Sequence, residues 1–426
     1  MRSPALRLRA ALAAALFVVL CATFPLPLRS AVPPADTPDV TAAGPAPSPA
    51  RGPVASVRLI VRTGERAPDG GTYTELADPA LNDEGDIAFG AETTRQQNAQ
   101  ALYLRRGGRT TTLVAAGQRV STGGIFYTLS DVVLNKQGTV VFLGRTTDRQ
   151  ARLGIYAVRH GTLAPVVVTG EAAPSGGVFT DFANPTINDD EEIAFVGRTN
   201  GTGIEGIYTN RGGTTTARVM GGWPAPTGGL FLFFLDGSPA LNGRGQIAFV
   251  AATTEHATQG VYVLSGDRVV PVVTTDDAAP VGARFTEFGF VNLTDTGTIG
   301  FVGRSAQATV HEALYTTGRD ALVTLARAGD TADDGVPFPT FTNVLMNDAE
   351  DAVFEPGIVR FPDVYPHTVY LARRSGVVVI AREGEPAPGG GKFTAFSQPI
   401  INDHRQVAFV AETDDGRHGV YLVTLR

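Results

Sequence analysis

Acidic residues recur at one position of a repeated loop, where they could bind a cation or act as general acids and bases. The loop has the pattern G-E-x-A-P-x-G-G, as in Gly170 to Gly177. Carboxylate oxygens are ligands for hard cations, and carboxylate pairs catalyse glycoside hydrolysis. The residues at the acidic position of successive loops are Glu65, Gln118, Glu171, Trp223, Asp277, Asp330 and Glu385.

Arginines occupy a second recurring position, at the end of an apolar stretch. They are Arg145, Arg198 and Arg304, each followed by Thr or Ser. One interpretation of both sets is ion pairs and turn caps within or between repeats. The other is a polar ring that binds a cation, a sugar or a peptide. Trp223 is the single Trp and interrupts the acidic position, so it is the best single candidate for a ligand contact.

Metal-binding and catalytic patterns are weak in this sequence. An EF-hand loop needs acidic groups at alternating positions and a distal Glu, and the densest acidic cluster, Asp189 to Glu192, does not provide that set. The six histidines show no close metal-ligand spacing. The motifs G-x-S-x-G, H-E-x-x-H and the P-loop are absent, as is a sialidase-type S-x-D-x-G-x-x-W repeat. We therefore predict no catalytic residue, no metal site and no cofactor.

The elements that position these residues belong to a repeat. Each unit contains an aromatic pair, an aliphatic residue, an anchor Asn, a turn and a short strand that ends in Phe seven residues after the anchor. Successive anchors are 52 to 55 residues apart. The anchors are Asn82, Asn135, Asn188, Asn242, Thr294, Asn347 and Asn402.

Each unit is typical of four short strands bounded by Gly, Pro, Asn and Asp. Four-stranded units at this period predict an all-β fold, a seven-bladed β-propeller, and place the polar ring at its channel mouth. The chain ends one strand short of a last blade, and Ser56 to Thr63 resembles the missing strand. We therefore expect the N-terminal strand to close the ring. Representative predicted strands are Phe393 to Ile401, Gln406 to Ala411, Gly419 to Val423 and Val377 to Arg382.

The N-x-x-G segment predicts a hairpin turn, in which Asn bonds backbone N–H groups and Gly supplies a positive φ. Glu191, Glu350 and Arg405 replace the Gly, which we expect to cost about 1 kcal/mol each if the left-handed conformation is kept. The aromatic pairs predict packing between blades, with a stacking platform for sugars or bases as the alternative. The pairs are Phe179 and Phe182, Phe285 and Phe288, Phe338 and Phe341, and Phe393 and Phe396, with Leu76 and Leu129 as partial substitutes.

The turn motif resembles that of a known family. It reads NDEGDIAF at Asn82, NGRGQIAF at Asn242 and NKQGTVVF at Asn135. In this motif the chain resembles the bacterial extracellular family described as choice-of-anchor tandem repeat proteins containing NxxGxxAF, over residues 54–426. The resemblance implies a surface or secreted location and supplies no catalytic residues. No sorting signal follows the final strand, so we do not expect covalent anchoring.

The first residues follow the pattern of an export signal. Arg2, Arg7 and Arg9 precede an apolar stretch from Ala10 to Ala22, which is shorter than the roughly 20 residues of a membrane span. We predict a signal peptide over residues 1–24, cleaved at an undefined position between Ala22 and Ala31, a Pro/Ala-rich spacer over 25–53 and the propeller over 54–426. Bulky Leu20 disfavours lipidation of Cys21.

Composition narrows the function. The chain has 35 Lys and Arg against 42 Asp and Glu, which does not favour a nucleic-acid partner. We predict an exported, extracellular or periplasmic monomer, a non-catalytic binding or scaffold module for a glycan, peptide or protein, without a membrane span in the mature chain. The alternative is a glycan-acting or lactonase-like hydrolase or lyase with its site at the channel mouth. Unmatched acidic or His residues in one blade, first of all in the loop from Glu355 to His367, would favour that alternative.

Overall fold

The computed structural model describes the chain from Val54 to Arg426 with short gaps. The described residues are 54–95, 99–201, 204–235, 239–255, 258–306, 310–319, 321–356 and 367–426. The predicted signal peptide with Cys21, the spacer and most of the loop between Glu355 and His367 lie outside these residues. Within them the secondary structure is entirely β, and no helix is long and apolar enough to cross a membrane.

The strands form seven antiparallel sheets, each of which is one blade. Strand β1 (Val54–Arg62) belongs to the last blade. The first three blades contain β2 (Tyr73–Leu81), β3 (Ile87–Thr93), β4 (Ala99–Arg106) and β5 (Arg109–Ala115); β6 (Phe126–Leu134), β7 (Val140–Thr146), β8 (Leu153–Arg159) and β9 (Thr162–Val168); and β10 (Phe179–Ile187), β11 (Ile193–Thr199), β12 (Glu205–Arg211) and β13 (Thr214–Met220).

The remaining blades follow the same plan, with the first strand broken in blades 4 and 7. They contain β14 (Phe231–Phe234), β15 (Ala240–Leu241), β16 (Ile247–Thr253), β17 (Gln259–Ser265) and β18 (Arg268–Thr274); β19 (Phe285–Leu293), β20 (Ile299–Ser305), β21 (Glu312–Thr317) and β22 (Leu322–Arg327); β23 (Thr342–Met346), β24 (Ala352–Glu355), β25 (Thr368–Arg373) and β26 (Gly376–Arg382); and β27 (Phe393–Phe396), β28 (Ile400–Ile401), β29 (Gln406–Thr413) and β30 (His418–Leu425).

The sheets form a closed ring. The first strand of each blade contacts the first strand of the next, in the order β2, β6, β10, β15, β19, β23, β28 and back to β2. Strand β1 pairs antiparallel with β30, for example Val57 with Val423 and Arg62 with Gly419, and becomes the outermost strand of the last blade. The predicted seven-bladed β-propeller, closed by its N-terminal strand, is therefore confirmed.

The core lies between neighbouring blades. In the first blade the ring of Phe89 stacks on that of Tyr103, with centroids 5.5 Å apart and an interplanar angle of 24°. Both side chains are fully buried, and an equivalent stacked pair occurs in every blade. The predicted aromatic pairs join the same packing, as Phe179 and Phe182 do in the third blade. Their predicted role in the core is confirmed.

Each anchor closes the turn between the first two strands of its blade. The Oδ1 of Asn188 accepts the backbone N–H of Glu192 at 2.9 Å, and at the divergent anchor Oγ1 of Thr294 accepts the N–H of Thr298 at the same distance. The fourth turn residue has a positive φ whether it is Gly or not. The φ angles of the predicted exceptions are 62° for Glu191, 62° for Glu350 and 56° for Arg405.

The anchors also join the blades to one another. The side-chain amide of each anchor Asn donates a hydrogen bond to the carbonyl oxygen of the next anchor. These bonds run from Asn82 to Asn135 (2.9 Å), Asn135 to Asn188 (3.2 Å), Asn188 to Asn242 (3.0 Å), Asn242 to Thr294 (3.0 Å), Asn347 to Asn402 (3.0 Å) and Asn402 to Asn82 (2.8 Å). Thr294 has no amide to donate. At that joint Asn292 bonds the carbonyl oxygen of Val344 instead, at 3.1 Å.

The substitution Asn188→Asp tests this link. Aspartate keeps the oxygen that closes the turn but loses the N–H group that donates to the carbonyl oxygen of Asn242. A carboxylate oxygen and that carbonyl oxygen, both acceptors, then face each other in a buried place. We expect the free energy of unfolding to fall by about 2–3 kcal/mol in urea denaturation. Asp190→Asn, at an exposed ion pair with Arg211, is the control and should cost less than about 0.5 kcal/mol. Equal stability of the two variants would contradict a structural role for the amide.

In the second, third and fourth blades a tyrosine in the third strand fastens the loop that enters the blade. The hydroxyl groups of Ser175 and Tyr208 lie 2.6 Å apart, and those of Thr227 and Tyr262 lie 3.1 Å apart. Val281 occupies the corresponding loop position of the fifth blade. There the hydroxyl of Tyr315 is buried and has no hydrogen-bond partner among the described residues, and burial raises its pKa to about 12.

Val281→Thr should restore the missing partner. Threonine has nearly the shape of valine and supplies a hydroxyl where the fourth blade has Thr227. We expect the free energy of unfolding to rise by about 1 kcal/mol. Thr227→Val is the reciprocal variant and should lower it by a similar amount, because it leaves the hydroxyl of Tyr262 unpaired. Opposite shifts of the two melting temperatures would support the assignment, and a destabilised Val281→Thr would refute it.

Candidate functional site

A cavity of about 270 Å³ lies where the turns after the first strands meet on the axis of the ring. Every blade contributes to it through its anchor turn and the end of the preceding strand. In the first blade the contributing residues are Leu81, Asn82 and Asp83. The geometry of this cavity therefore follows from the ring of anchors, because the same turn reaches the axis in each repeat.

The residue after each anchor determines the charge of the cavity. Five of these positions carry a carboxylate, one carries an ammonium group and one is Gly. The residues are Asp83, Lys136, Asp189, Gly243, Asp295, Asp348 and Asp403, and all of them line the cavity. We call the five aspartates the acidic ring.

Hydrogen bonds hold the acidic ring in position. The Oδ1 atom of each aspartate accepts the backbone N–H of the corresponding residue in the preceding blade. These bonds run from Lys136 to Asp189 (2.9 Å), Gly243 to Asp295 (2.6 Å), Asp295 to Asp348 (2.6 Å), Asp348 to Asp403 (2.7 Å) and Asp403 to Asp83 (2.9 Å). The carboxylates are thus fixed by the backbone rather than by cationic partners.

The electrostatics of the acidic ring are unfavourable in the absence of a counterion. Burial raises the pKa of Asp403, the hydrogen bond from the backbone N–H of Asp348 opposes this effect, and repulsion from Asp83, Asp348 and Asp295 adds to it. Burial likewise raises the pKa of Asp348; the hydrogen bond from the backbone N–H of Asp295 lowers it, repulsion from Asp295 and Asp83 raises it, and Arg244 lowers it slightly. Within the described part of the chain, no three acidic, His or Cys side chains are close enough to hold one metal ion.

The acidic loop positions predicted from the sequence lie at the opposite end of the ring, because the loops that enter the blades and the anchor turns join opposite ends of the strands. Most of their side chains cap their own loops. Each side chain accepts a hydrogen bond from the backbone N–H of the residue three positions earlier. The accepting atoms, with their distances to that nitrogen, are Oε1 of Gln118 (3.4 Å), Oδ2 of Asp277 (2.7 Å), Oδ2 of Asp330 (3.1 Å) and Oε2 of Glu385 (3.2 Å), and the carboxylate of Glu171 forms the same bond.

The two remaining members of that set differ from these caps. Glu65 is exposed and forms an ion pair with Arg62 at 3.4 Å, and Trp223 has no side-chain acceptor with which to cap its loop. Burial raises the pKa of Glu171 and of Glu385, and hydrogen bonds within their own loops oppose that effect. None of the seven residues lines the axial cavity.

The predicted arginines do not line the axial cavity either. Two of them form ion pairs within their own blades. Nε of Arg198 lies 2.8 Å from Glu205, and Nη1 of Arg304 lies 2.8 Å from Glu287. Arg145 is exposed at the end of β7, opposite Thr128 of β6.

Trp223 belongs to an apolar surface at the entry to the fourth blade. Its backbone carbonyl accepts the N–H of Phe231 at 2.9 Å, so its loop lies beside the start of β14. Leu232 and Phe233 follow there, where the third blade has Thr180 and Asp181. The exposed large apolar side chains of this region are Ile204, Trp223, Leu230, Leu232 and Phe233.

The acidic ring was missed by the sequence analysis, although the sequence contains its signal. The signal lies at the residue after the anchor, outside the loops and strand ends that make up the predicted polar ring. That position holds Asp in five repeats, as at Asp83 and Asp403. A turn position that is acidic in most repeats indicates an environment that the repeats share.

The fold and the cavity define the protein as a seven-bladed β-propeller with an acidic axial cavity. A family model described as "Family of unknown function (DUF7453)" matches residues 50–303 and, overlapping, residues 257–420. The chain belongs to this family. Two overlapping matches are what a tandem repeat produces. The resemblance to choice-of-anchor proteins remains a prediction. No curated protein matches the chain.

Solved structures share the architecture at low identity. The β-propeller domain of the Trilobed protease from Pyrococcus furiosus aligns with a TM-score of 0.51 and 9% identity, covering 83% of this chain and 94% of that domain. A puromycin-hydrolyzing peptidase of Mycobacterium tuberculosis aligns with a TM-score of 0.49 and 16% identity, covering 82% of this chain but 51% of the peptidase. The chain thus spans about half the length of that peptidase. The likeness to the first structure supports the fold alone.

Trp223→Ala tests whether Trp223 belongs to the exposed apolar surface or to the core. Trp223 is 46% exposed, whereas Phe231, the neighbour to which its carbonyl is bonded, is 2% exposed. We expect Trp223→Ala to lower the free energy of unfolding by about 1 kcal/mol or less, and Phe231→Ala to lower it by about 3–5 kcal/mol. Chemical denaturation measures both values. A loss as large as that of Phe231→Ala would assign Trp223 to the core.

Proposed function

We propose that this protein is an exported, non-catalytic binding module whose acidic ring takes a cationic group of its ligand. The observation that carries the proposal is the convergence of five backbone-held carboxylates on one cavity at the axis of the propeller. An acidic, partly enclosed mouth attracts cations and raises their local concentration. Export rests on the N-terminal pattern, and we expect the protein to act as a monomer.

Electrostatic relief supports a cationic ligand. The pKa values of Asp348 and Asp403 are raised by burial and by their acidic neighbours, so the ionised forms of these two carboxylates cost stability. A bound cation would offset that repulsion and be attracted in turn. Lys136 is the one cationic residue that lines the cavity, beside five aspartates.

The spacing of the carboxylates favours an organic cation over a metal ion. Calcium requires six to eight oxygen ligands at about 2.3–2.6 Å, which calls for several carboxylates close together. In the described residues no such group of three occurs. An ammonium or guanidinium group is larger, donates several hydrogen bonds and can bond carboxylates that are farther apart. A polyamine or a basic side chain of a peptide has this chemistry.

The glycan-acting or lactonase-like enzyme is the second candidate, and one observation favours it. A general acid must keep its proton near the working pH, and the pKa values of Asp348 and Asp403 are raised in that direction. Against this, all five aspartates occupy the same repeat position, and the Oδ1 atom of each accepts a backbone N–H from the preceding blade. In a catalytic acid–base pair, by contrast, different environments give the two groups different pKa values. We therefore favour binding without turnover.

The variant Asp348→Asn, Asp403→Asn tests the proposal. Asparagine keeps the Oδ1 acceptor for the neighbouring N–H and removes only the charge. In calorimetric titration at low salt we expect the wild-type protein to bind spermidine and this variant to bind it at least about tenfold more weakly. Asp330→Asn, which also keeps its backbone bond but lies at the other end of the ring, is the matched control and should bind normally.

The same variant gives a pH-dependent readout. Because the two carboxyl groups have folded-state pKa values above their ordinary value of 3.8, their ionisation destabilises the fold. The variant should therefore melt at a higher temperature than the wild type at pH 7, and this advantage should shrink as the pH falls through the raised folded-state pKa values and be lost below 3.8. Failure to bind spermidine, or equal loss in Asp330→Asn, would refute the binding proposal. Hydrolysis of glycosides or lactones that the double variant abolishes would favour the enzyme.

A further inference from the structure

A groove on the outer side of the ring lies apart from the axial cavity. It lies between the first two blades, has a volume of about 350 Å³ and shares no lining residue with the cavity. Its walls are apolar where Leu104, Leu113 and Val158 line it, and its edge carries Arg106, Arg109 and His160. No carboxylate lines it. The groove therefore combines an apolar wall with a cationic edge.

His160 lies in a conformation that its side chain disfavours. Its φ is 48°, in the left-handed region, at the first turn residue of the hairpin between β8 and β9. Gly107, Gly212 and Gly266 occupy the same hairpin position in other blades, with φ angles of 55°, 59° and 59°. A left-handed residue with a side chain costs stability that Gly avoids. Strain of this kind is found where a side chain has a task.

The arginines of the groove are positioned for an anion. Nε of Arg106 binds Oδ2 of Asp86 at 2.7 Å, and Nη2 contacts the carbonyl oxygen of Gln137 at 3.4 Å, which fixes the guanidinium and leaves Nη1 for another acceptor. The guanidinium lies directly over Gly138, where a Cβ atom would overlap it. Arg109 is exposed and belongs to none of the ion pairs of the described residues.

The neighbouring groove, between the second and third blades, shows why this one differs. His160 lines both grooves. In the neighbouring groove Glu191 replaces the Gly of the turn, and its carboxylate binds Nε of Arg159 at 2.8 Å. That carboxylate supplies the negative charge from within the protein. In the groove between the first two blades Gly138 supplies no carboxylate, the guanidinium of Arg106 lies over it, and Arg109 belongs to none of the ion pairs of the described residues.

We propose that the groove between the first two blades binds an amphipathic carboxylate. The carboxylate group bonds Arg109 and Nη1 of Arg106, with His160 as a further N–H donor at the same edge. The hydrocarbon part packs against Leu104, Leu113 and Val158. Two charge-assisted hydrogen bonds and the burial of an apolar chain provide the affinity, and neither part alone suffices.

Octanoate is the probe. Acetate is the control that has the carboxylate group without the long hydrocarbon chain, and octanamide is the control that has the chain without the negative charge. Methyl NMR of the purified protein should show shifts of Leu104, Leu113 and Val158 on addition of octanoate. Acetate and octanamide should each bind at least about tenfold more weakly. Equal binding of octanamide would refute the role of the arginines, and equal binding of acetate would refute the role of the apolar wall.

Substitutions of exposed residues test whether Arg109 and His160 bind the carboxylate, because the fold does not depend on these side chains. Arg109→Ala should weaken octanoate binding by about tenfold without changing the melting temperature. His160→Gly should weaken it as well, while the melting temperature stays the same or rises because the left-handed strain is removed. Arg211→Ala changes the corresponding surface of the third blade, outside the groove, and should leave binding unchanged. Unchanged octanoate binding in Arg109→Ala, or an equal loss in Arg211→Ala, would overturn the proposal.

Discussion

A hydrogen bond from the side-chain amide of one anchor to the backbone carbonyl of the next is the interaction on which this propeller depends. Each blade alone is a small sheet with two apolar faces, and it becomes stable by packing against its neighbours. The amide of Asn402 bonds the carbonyl of Asn82 and so joins the last blade to the first. Asparagine suits this position because one side chain supplies both an acceptor for its own turn and a donor for the next blade.

The same ring explains where charge accumulates. Holding the anchors around one axis brings the residues that follow them to the axis as well, so that five aspartates line one cavity. Their Oδ1 atoms bond the preceding blades, as Asp403 does with Asp348. The structure therefore gains links between blades from carboxylates that repel one another. Such a cost is expected of the binding site that we propose, since a site is organised for its ligand rather than for the fold.

The regular repeat also makes its exceptions informative. Glu191 keeps the left-handed turn conformation of its glycine counterparts, and its carboxylate binds Asn135, Thr139 and Arg159 of the preceding blade. The strain is thus offset by contacts between blades. His160 is strained in the same way, but it lies at the edge of a groove. A residue that departs from the repeat and bonds a neighbouring blade has a structural role, as Glu191 does. A residue that departs from the repeat without such a bond is a candidate for a functional role, as His160 is, and the sequence alone does not distinguish the two cases.

The sequence by itself determined the repeat, the four strands of each blade, the turn role of the anchor Asn and the closure by Val54–Arg62, because these depend on local periodicity and on which strand is missing. It did not determine which polar residues would meet. The acidic loop positions, such as Asp277 and Glu385, cap their own loops, whereas Asp83 and Asp403, 320 residues apart, become neighbours. Only the tertiary structure decided this, because the distance between two turns depends on the radius and closure of the ring and not on the chain between them.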